Sequence, residues 1–377
     1  MKLSNNIPII SFFTGGGFLD MGFLLAGFEI VYSNEYIEDF ALLHDAGITN
    51  WAKANGIEKE FKISSMDSIV DLKPVSILKK AFPNGVPQIW GIIGGPPCQD
   101  FTINGKMEGF SGDRGKMTIA FFRKIKQLRP PFFVMENVVG LMQNKESRKV
   151  IDQIINNHCA DNYFIDRKIL NALDFGVPQY RQRVFHIALR KDLFIPPNSN
   201  LFSDSENICT MSFQWPVEKY KNAYKSFDWP KRNPFGNQIL TPKGIPLDLC
   251  INSCLKKASE NSVPNIDEIL KLTKNVDQKK DIQEGDTHRH SFKRLHRFRF
   301  SPTTCYGNNE VHLHPFENRR ISVREALRIQ GVDDSYSLPP KKLSAKFKLI
   351  GNGVPVPLAK AVALSLYAFI SKYSKKA

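Results

Sequence analysis

Ile89-Trp90-Gly91-Ile92-Ile93-Gly94-Gly95-Pro96-Pro97-Cys98-Gln99 is the stretch on which the fold of this chain turns. The apolar run 89–93 reads as a buried strand, since a short continuous apolar stretch bounded by turn residues suits a strand covered on both faces. Two glycines and two prolines stop it abruptly and restrict the backbone of the turn. Cys98 follows at the strand's carboxyl end, where open α/β sheets bind ligands. A nucleophilic thiol on a rigid loop and a small packing cysteine both suit that position. The segments around it decide between the two.

Upstream, Ile7-Pro8-Ile9-Ile10-Ser11-Phe12-Phe13 reads as a first buried strand, followed at once by Thr14-Gly15-Gly16-Gly17. A helix over 18–27, closed by Gly27, comes next. Strand, glycine turn and helix together let a ligand approach the backbone at a helix amino terminus. Phe28–Glu35 reads as a second strand ending in an acid. In nucleotide-binding α/β folds an acid there takes ribose hydroxyls, although a solvated strand end carries one equally well. Residues 36–66 read as mostly helical and polar. Asp67 suits either an acceptor for an adenine amino group or a helix amino-terminal cap.

Downstream, residues 100–116 are rich in glycine and polar side chains, as in a substrate-covering loop or an ordinary surface loop. A helix is predicted over 117–129, ended by Pro130-Pro131. Phe132-Phe133-Val134-Met135 is another buried strand and delivers Glu136-Asn137-Val138. A carboxylate there needs a partner; it either pairs with an arginine or acts as an acid in a site that raises its pKa. A helix over 147–158 is followed by two strands within 165–191. Arg181 and Arg183 share a face if that stretch is extended, so both can enter one pocket or form a basic sheet edge.

From about residue 192 the strand–helix alternation stops, and a domain boundary is expected near 192–195. The basic run from His288 to Phe300 holds five Lys/Arg, three His and three Phe with no acid. Basic residues meet phosphates and aromatics pack or stack, so nucleic-acid contact is expected here, against the plainer reading of a solvated charged face. Order returns with a helix over 321–330, capped by Ser322 with Glu325 in a capping box. A tight loop over 348–357 and an apolar helix over about 358–372 complete the chain.

Composition sets the bounds. With 377 residues, 42% of them hydrophobic, the chain can build a substantial core and, by length, two domains. A formal net charge of +15 favours a polyanionic partner, nucleic acid first. The six cysteines, Cys98, Cys159, Cys209, Cys250, Cys254 and Cys305, are too scattered for a disulfide framework. Cys250 and Cys254 lack the further ligands of a zinc site and read as structural; no metal is expected. No charged-then-apolar signal opens the chain and no apolar run is read as membrane-spanning, so a reducing, cytoplasmic setting is expected.

Taken together, these residues resemble the bacterial-type cytosine-5 DNA methyltransferases over about residues 8–191 and 312–365, in the family's order. Phe13-Thr14-Gly15-Gly16-Gly17 is similar to the family's first cofactor motif, and Gly94-Gly95-Pro96-Pro97-Cys98-Gln99 to its Pro-Cys motif. Glu136-Asn137-Val138 is similar to its Glu-Asn-Val motif, and Gln179, Arg181 and Arg183 to its Gln-x-Arg-x-Arg motif. Arg324-Glu325-Ala326 with Arg328 and Gln330, and Gly351-Asn352-Gly353-Val354, resemble its two carboxyl-terminal motifs. Two positions depart. Phe18 stands where the family often has a second glycine, which is expected to crowd the cofactor turn, and Gly112 where it often has an acid, for which Asp113 can substitute.

The resemblance implies a Rossmann-like methyltransferase domain with a mixed, mostly parallel sheet, plus a smaller irregular target-recognition domain. The expected division is 1–193 for catalysis and cofactor binding, 194–315 for target recognition, and 316–377 returning to the catalytic domain. It implies methyl transfer from S-adenosylmethionine, with S-adenosylhomocysteine as product, to C5 of a flipped-out cytosine in duplex DNA through a Cys98–C6 adduct. Cys98, Glu136, Arg181 and Arg183 form the implied catalytic set. The implied cofactor set is Phe13, Thr14, Gly15, Gly17, Glu35, Tyr36, Asp67, Ser68, Pro97, Met117, Asn352 and Val354. Within it Glu35 lies on the ribose, Asp67 on the adenine and Asn352 near the methionine part. DNA contacts are expected from Gln99, Arg114, Arg289, Lys293, Arg294, Arg297 and Arg299. A monomer is expected, with a restriction endonuclease acting on the same site as its partner. Two alternatives stay open: an RNA (tRNA) cytosine-5 methyltransferase and a catalytically silent DNA-binding relative.

Overall fold

The computed structural model describes residues 6–97, 113–195, 210–257, 259, 262–272, 276–303, 306 and 311–375, with backbone alone for 113–115. Cys98, Gln99 and the loop to 112 lie outside the described residues, as does the side chain of Arg114.

Four parallel strands form the centre of the fold: β1 (Ile7–Phe12), β2 (Phe28–Asn34), β3 (Gly91–Gly94) and β4 (Phe132–Val138). Two more, β5 (Tyr163–Asn171) and β6 (Gln182–Arg190), complete a six-stranded sheet in the order β2-β1-β3-β4-β6-β5, with β6 antiparallel to both its neighbours. The mixed, mostly parallel α/β sheet expected from the sequence is therefore present. β1, β3 and β4 read as largely apolar runs because both faces are covered. Phe132 and Val134 point into one core and Phe133 and Met135 into the other, the alternation a strand imposes.

One face carries α1 (Phe18–Leu24), α2 (Glu38–Ala54) and α10 (Val356–Tyr373). The other carries α3 (Pro74–Ala81), α4 (Asp113–Leu128) and α6 (Lys145–Cys159), with α5 (Gly140–Gln143) a single turn ahead of α6. The segment Leu343–Tyr373 is long and apolar enough, by length and composition, to cross a membrane, which the sequence reading missed. Here α10 buries Leu358, Val362, Leu366, Phe369 and Ile370 in the protein core instead.

Residues 210–315 have little regular structure: α7 (Ala223–Ser226), a parallel pair β7 (Lys293–Arg294) and β8 (His312–Leu313), and short 3-10 turns. Small apolar clusters hold them, one of Leu173, Ala223 and Leu249, another of Ile245, Cys250 and Phe298. Met211, Phe213, Ile251 and Leu295 reach into the main core, so this region is anchored to the sheet domain.

After it, α8 (Val323–Ile329) starts with the expected capping box, Ser322 accepting from the Glu325 N–H and Glu325 from the Ser322 N–H. The next element differs from expectation. Residues 348–352 belong to α9 (Leu343–Asn352), and only Gly353-Val354-Pro355 forms the turn, because no helix breaker precedes Gly353 outside the single Gly351. Asp67 also caps no helix: α3 begins at Pro74, and the Asp67 carboxylate accepts from the Ser65 hydroxyl at 2.8 Å.

Candidate active site

The strand order reverses at β1, whose neighbours are β2 on one side and β3 on the other. Such a switch point opens a crevice at the carboxyl ends of the strands. The glycine turn lies there. Gly15 and Gly17 have φ of +56° and +74°, backbone that L side chains rarely adopt. The Gly17 N–H donates to Thr14 O at 2.8 Å, and the Gly15 N–H to Glu35 Oε2 at 2.8 Å. Glu35 Oε1 accepts from the Ile37 N–H at 2.9 Å. Each carboxylate oxygen keeps a lone pair for a further donor, and burial raises the Glu35 pKa against those backbone bonds.

Asn34 Nδ2 donates to Ser65 O and Asp67 O, both at 2.9 Å, and so brings the 65–70 segment beside the end of β2. Tyr36, Ile37, Met66 and Val70 are 69%, 42%, 54% and 53% exposed there. Exposed apolar side chains gathered beside a buried acid suit a nucleoside, with a flat base to cover and hydroxyls to bind. Phe13 and Met117 are half-buried in one apolar cluster on this side of the sheet. Pro97 is half-buried, Asn352 exposed at the end of α9, and Val354 buried.

Phe18, the departure from the family pattern, does not crowd the turn. Its ring is buried and meets Tyr336 edge-on at 5.3 Å. Space comes from Gly353, where a Cβ would lie 2.1 Å from the Phe18 ring. The Tyr336 hydroxyl donates to Gly16 O at 2.8 Å, tying the turn to the carboxyl-terminal segment.

Two strands away, Glu136 and Arg183 form a buried pair, with Glu136 Oε1 2.8 Å from Arg183 Nε and side-chain exposures of 9% and 10%. Register explains the meeting: Val138 lies opposite Arg183, and Glu136 shares its face. Burial raises the Glu136 pKa, with Arg183 and Arg181 opposing it. Gly95 leaves the room, since a Cβ there would come 2.9 Å from Glu136 Oε2. Asn137 Nδ2 donates to Pro96 O at 3.2 Å, fastening the turn that leads to Cys98 onto β4.

Arg181 does not join that pair by direct contact. It is fully buried, and Nη2 donates to Gly351 O and Gly353 O at 2.7 and 2.9 Å. Gln179 Nε2 reaches Ile329 O, and Gln330 Nε2 reaches Ile350 O. The first two members of the Gln-x-Arg-x-Arg run thus dock the carboxyl-terminal helices, and the third faces the crevice. Arg181 thus ties the start of β6 to the turn after α9.

The basic run needs a larger correction. Arg294 is fully buried, donating to Ile282 O, His314 O, Glu317 O and Lys279 O, and burial lowers its pKa to about 10. Arg297 grips the buried Glu284 carboxylate at 2.9 and 2.7 Å, and Arg299 donates to Pro230 O at 3.1 Å. Lys293 is half-buried within β7, while Arg289 is 49% exposed beside Asp286. Several of these cations are struts of an irregular region that has few backbone ladders to hold it. Arg294→Ala is expected to lower the unfolding free energy by about 3 kcal/mol, because it leaves buried carbonyls unpaired. Urea unfolding measures this; unchanged stability with weakened DNA binding would return Arg294 to a DNA-facing role.

Among the described residues no cluster of acids, histidines and cysteines suits a metal ion. The sequence reading overlooked Asp20 and His44, both buried beneath the glycine turn. An acid inside an apolar helical stretch, directly after that turn, was the available signal.

Residues 7–368 match the sequence model of C-5 cytosine-specific DNA methylases. Over 372 residues the chain is 34% identical to Type II methyltransferase M.NmeDI of Neisseria meningitidis serogroup C, covering 98% of this chain and 85% of that one. It is 30% identical over 367 residues to Type II methyltransferase M.MthTI of Methanothermobacter thermautotrophicus, covering 95% and 96%. The fold is similar, with a TM-score of 0.66 and 25% identity, to the crystal structure of a "putative DNA modification methyltransferase encoded within prophage" of E. coli, over 97% of this chain and 100% of that one.

Proposed function

The chain belongs to the C-5 cytosine-specific DNA methylase family and is a DNA cytosine-5 methyltransferase, and from that premise we propose that it modifies one specific cytosine in duplex DNA through a covalent adduct of Cys98 with a flipped-out base. The observation that carries this reading is the buried Glu136–Arg183 pair beside the tethered Pro96-Pro97 turn. Its relatives are Type II methyltransferases, which supports a role as the modification enzyme of a restriction–modification system with a partner endonuclease in a bacterial cytoplasm. We propose region 194–315 as the target-recognition domain, a monomer as the working form, and Gln99, Arg114 and Arg289 among the DNA contacts.

The residues fit S-adenosylmethionine: backbone bends at Gly15 and Gly17, a Glu35 carboxylate that could take ribose hydroxyls, and exposed apolar side chains of Tyr36 and Met66 that could cover a base. Phe13, Thr14, Asp67, Ser68, Pro97, Met117, Asn352 and Val354 complete the proposed cofactor set. Bound there, S-adenosylmethionine supplies an electrophilic methyl group.

The chain's own residues prepare the acceptor. C5 of cytosine is a poor nucleophile. Addition of the Cys98 thiolate at C6 forms an S–C6 bond and pushes the ring electrons toward N3 and C5. Glu136, whose pKa burial raises, is the group proposed to give a proton to N3, and Arg183 to hold O2. Once C5 carries the methyl group, loss of the C5 proton to a base breaks the S–C6 bond, frees Cys98, and returns the N3 proton to Glu136. A base stacked in a duplex cannot reach a strand-end turn, so the cytosine must leave the helix, at a cost of a few kcal/mol.

Bisulfite sequencing of duplex DNA incubated with the protein and S-adenosylmethionine is expected to show protection of one cytosine within a short recurring sequence. Methyl transfer to tRNA with none to duplex DNA would overturn the substrate assignment.

A further inference from the structure

Beneath the glycine turn lies a buried polar cluster that the proposed chemistry does not use. Asp20, in the first turn of α1, has no solvent exposure and accepts from the Ser11 and Thr14 hydroxyls at 2.7 and 2.5 Å. His44, on α2, is 1% exposed. Its Nε2 lies 3.9 Å from Asp20 Oδ2, and its Nδ1 lies 2.9 Å from Asp45 Oδ1. Asp45 Oδ1 also accepts from the Ile63 N–H at 2.9 Å. That carboxylate is an acceptor, so Nδ1 carries a proton. Nε2 has no hydrogen-bond partner and faces Asp20. The turn rests on the ring, since a Cβ on Gly17 would lie 2.9 Å from His44 Cδ2.

We propose that His44 is a positioning residue for the cofactor turn: as an imidazolium between two carboxylates, it holds Asp20 in the state that pins Thr14 and so presets residues 14–17 for S-adenosylmethionine. The inference rests on assigning that turn to the cofactor.

The alternative, a neutral ring, would aim the Nε2 lone pair at a buried carboxylate and leave that carboxylate without a countercharge, a costly arrangement in a dry site. Protonation places an N–H and a positive charge there instead. Burial works against the charge, but Asp20 and Asp45 outweigh it, and the His44 pKa stands above the usual imidazole value. Glu35, just past β2, also senses the His44 charge. Tyr336 packs on Gly47 along the same helix, and burial raises its phenol further from ionisation.

The sign follows. A histidine whose folded pKa is raised stabilises its surroundings fully below its unfolded value and loses that effect as pH rises through the folded value. Cofactor affinity should therefore fall in a step on the alkaline side.

Calorimetric binding of S-adenosylhomocysteine, measured from about pH 6 to about pH 10 across the His44 transition, tests this with the full chain. The native protein is expected to lose about tenfold in affinity over the step, an ordinary coupling between two sites. His44→Gln is expected to show no step and to bind at every pH as weakly as the native protein does when alkaline. In turnover its defect should lie in the KM for S-adenosylmethionine more than in kcat. An NMR titration of the His44 ring in the native protein gives an independent reading that does not depend on the variant folding. A His44 pKa below the free-imidazole value, or a step retained in His44→Gln, overturns the proposal. Native protein that binds no S-adenosylhomocysteine at any pH overturns the cofactor assignment and this inference with it.

Discussion

Cys98→Ala is expected to abolish methyl transfer, by about 10⁴-fold or more, the scale on which loss of a covalent nucleophile acts. Binding to a duplex carrying the target should stay close to that of the native protein. The size of the loss follows from the acceptor, because C5 is a poor nucleophile until a thiolate adds at C6. Among the described residues, the remaining thiols offer no substitute. Cys159, Cys250 and Cys254 are buried, and burial pushes each thiol up to about 12. At neutral pH they are protonated and unreactive. Incorporation of tritiated methyl groups measures the first effect and a gel-shift titration the second. Turnover within tenfold of the native rate would remove Cys98 from the mechanism. Joint loss of turnover and DNA binding would point to a damaged loop rather than a missing nucleophile.

The parts of this protein that could be read from its sequence are those where local chemistry leaves few options. β1 and β4 are apolar on both faces because helices cover both sides of the sheet, and their shortness and flanking Gly and Pro separate them from buried helix. The capping box at Ser322 and Glu325 is likewise local, and it forms as written. Glu136 stood out because a carboxylate closing a buried strand demands a partner, and Arg183 is that partner. What could not be read is set by distant contacts. Arg294 looks like a surface cation in a basic run, yet the carbonyls that bury it come from residues 279, 282, 314 and 317. Arg181 and Arg183 are two residues apart, but one docks the α9 end and the other meets Glu136. Phe18 reads as an obstruction until Gly353, far along the chain, is found to vacate the space. His44 sits in a helix whose sequence gives no hint that a glycine turn rests upon it.

Glu136→Gln is expected to lower kcat by about 10² to 10³, the usual worth of a positioned general acid, while leaving S-adenosylhomocysteine binding intact. Glutamine keeps the shape and can still offer an N–H toward N3, but it has no proton to transfer when the ring accepts electron density. The variant should also separate acid chemistry from charge pairing. Glu136 is an acid whose folded pKa is raised, chiefly by burial, with the Arg183 and Arg181 cations opposing that rise. A raised acid binds its proton more tightly folded than unfolded, so its net effect on stability worsens as pH rises from the unfolded carboxyl value through the folded one. The neutral amide removes that dependence, and at alkaline pH the variant should lose little stability despite the broken ion pair. The native kcat should fall on the alkaline side as Glu136 loses its proton, and this limb should be absent from Glu136→Gln. Parallel pH profiles of kcat, with Tm recorded at each pH, test both statements. Native turnover in Glu136→Gln, or an alkaline limb that survives the substitution, would assign the N3 proton to another group and leave Glu136 only its structural tie to Arg183.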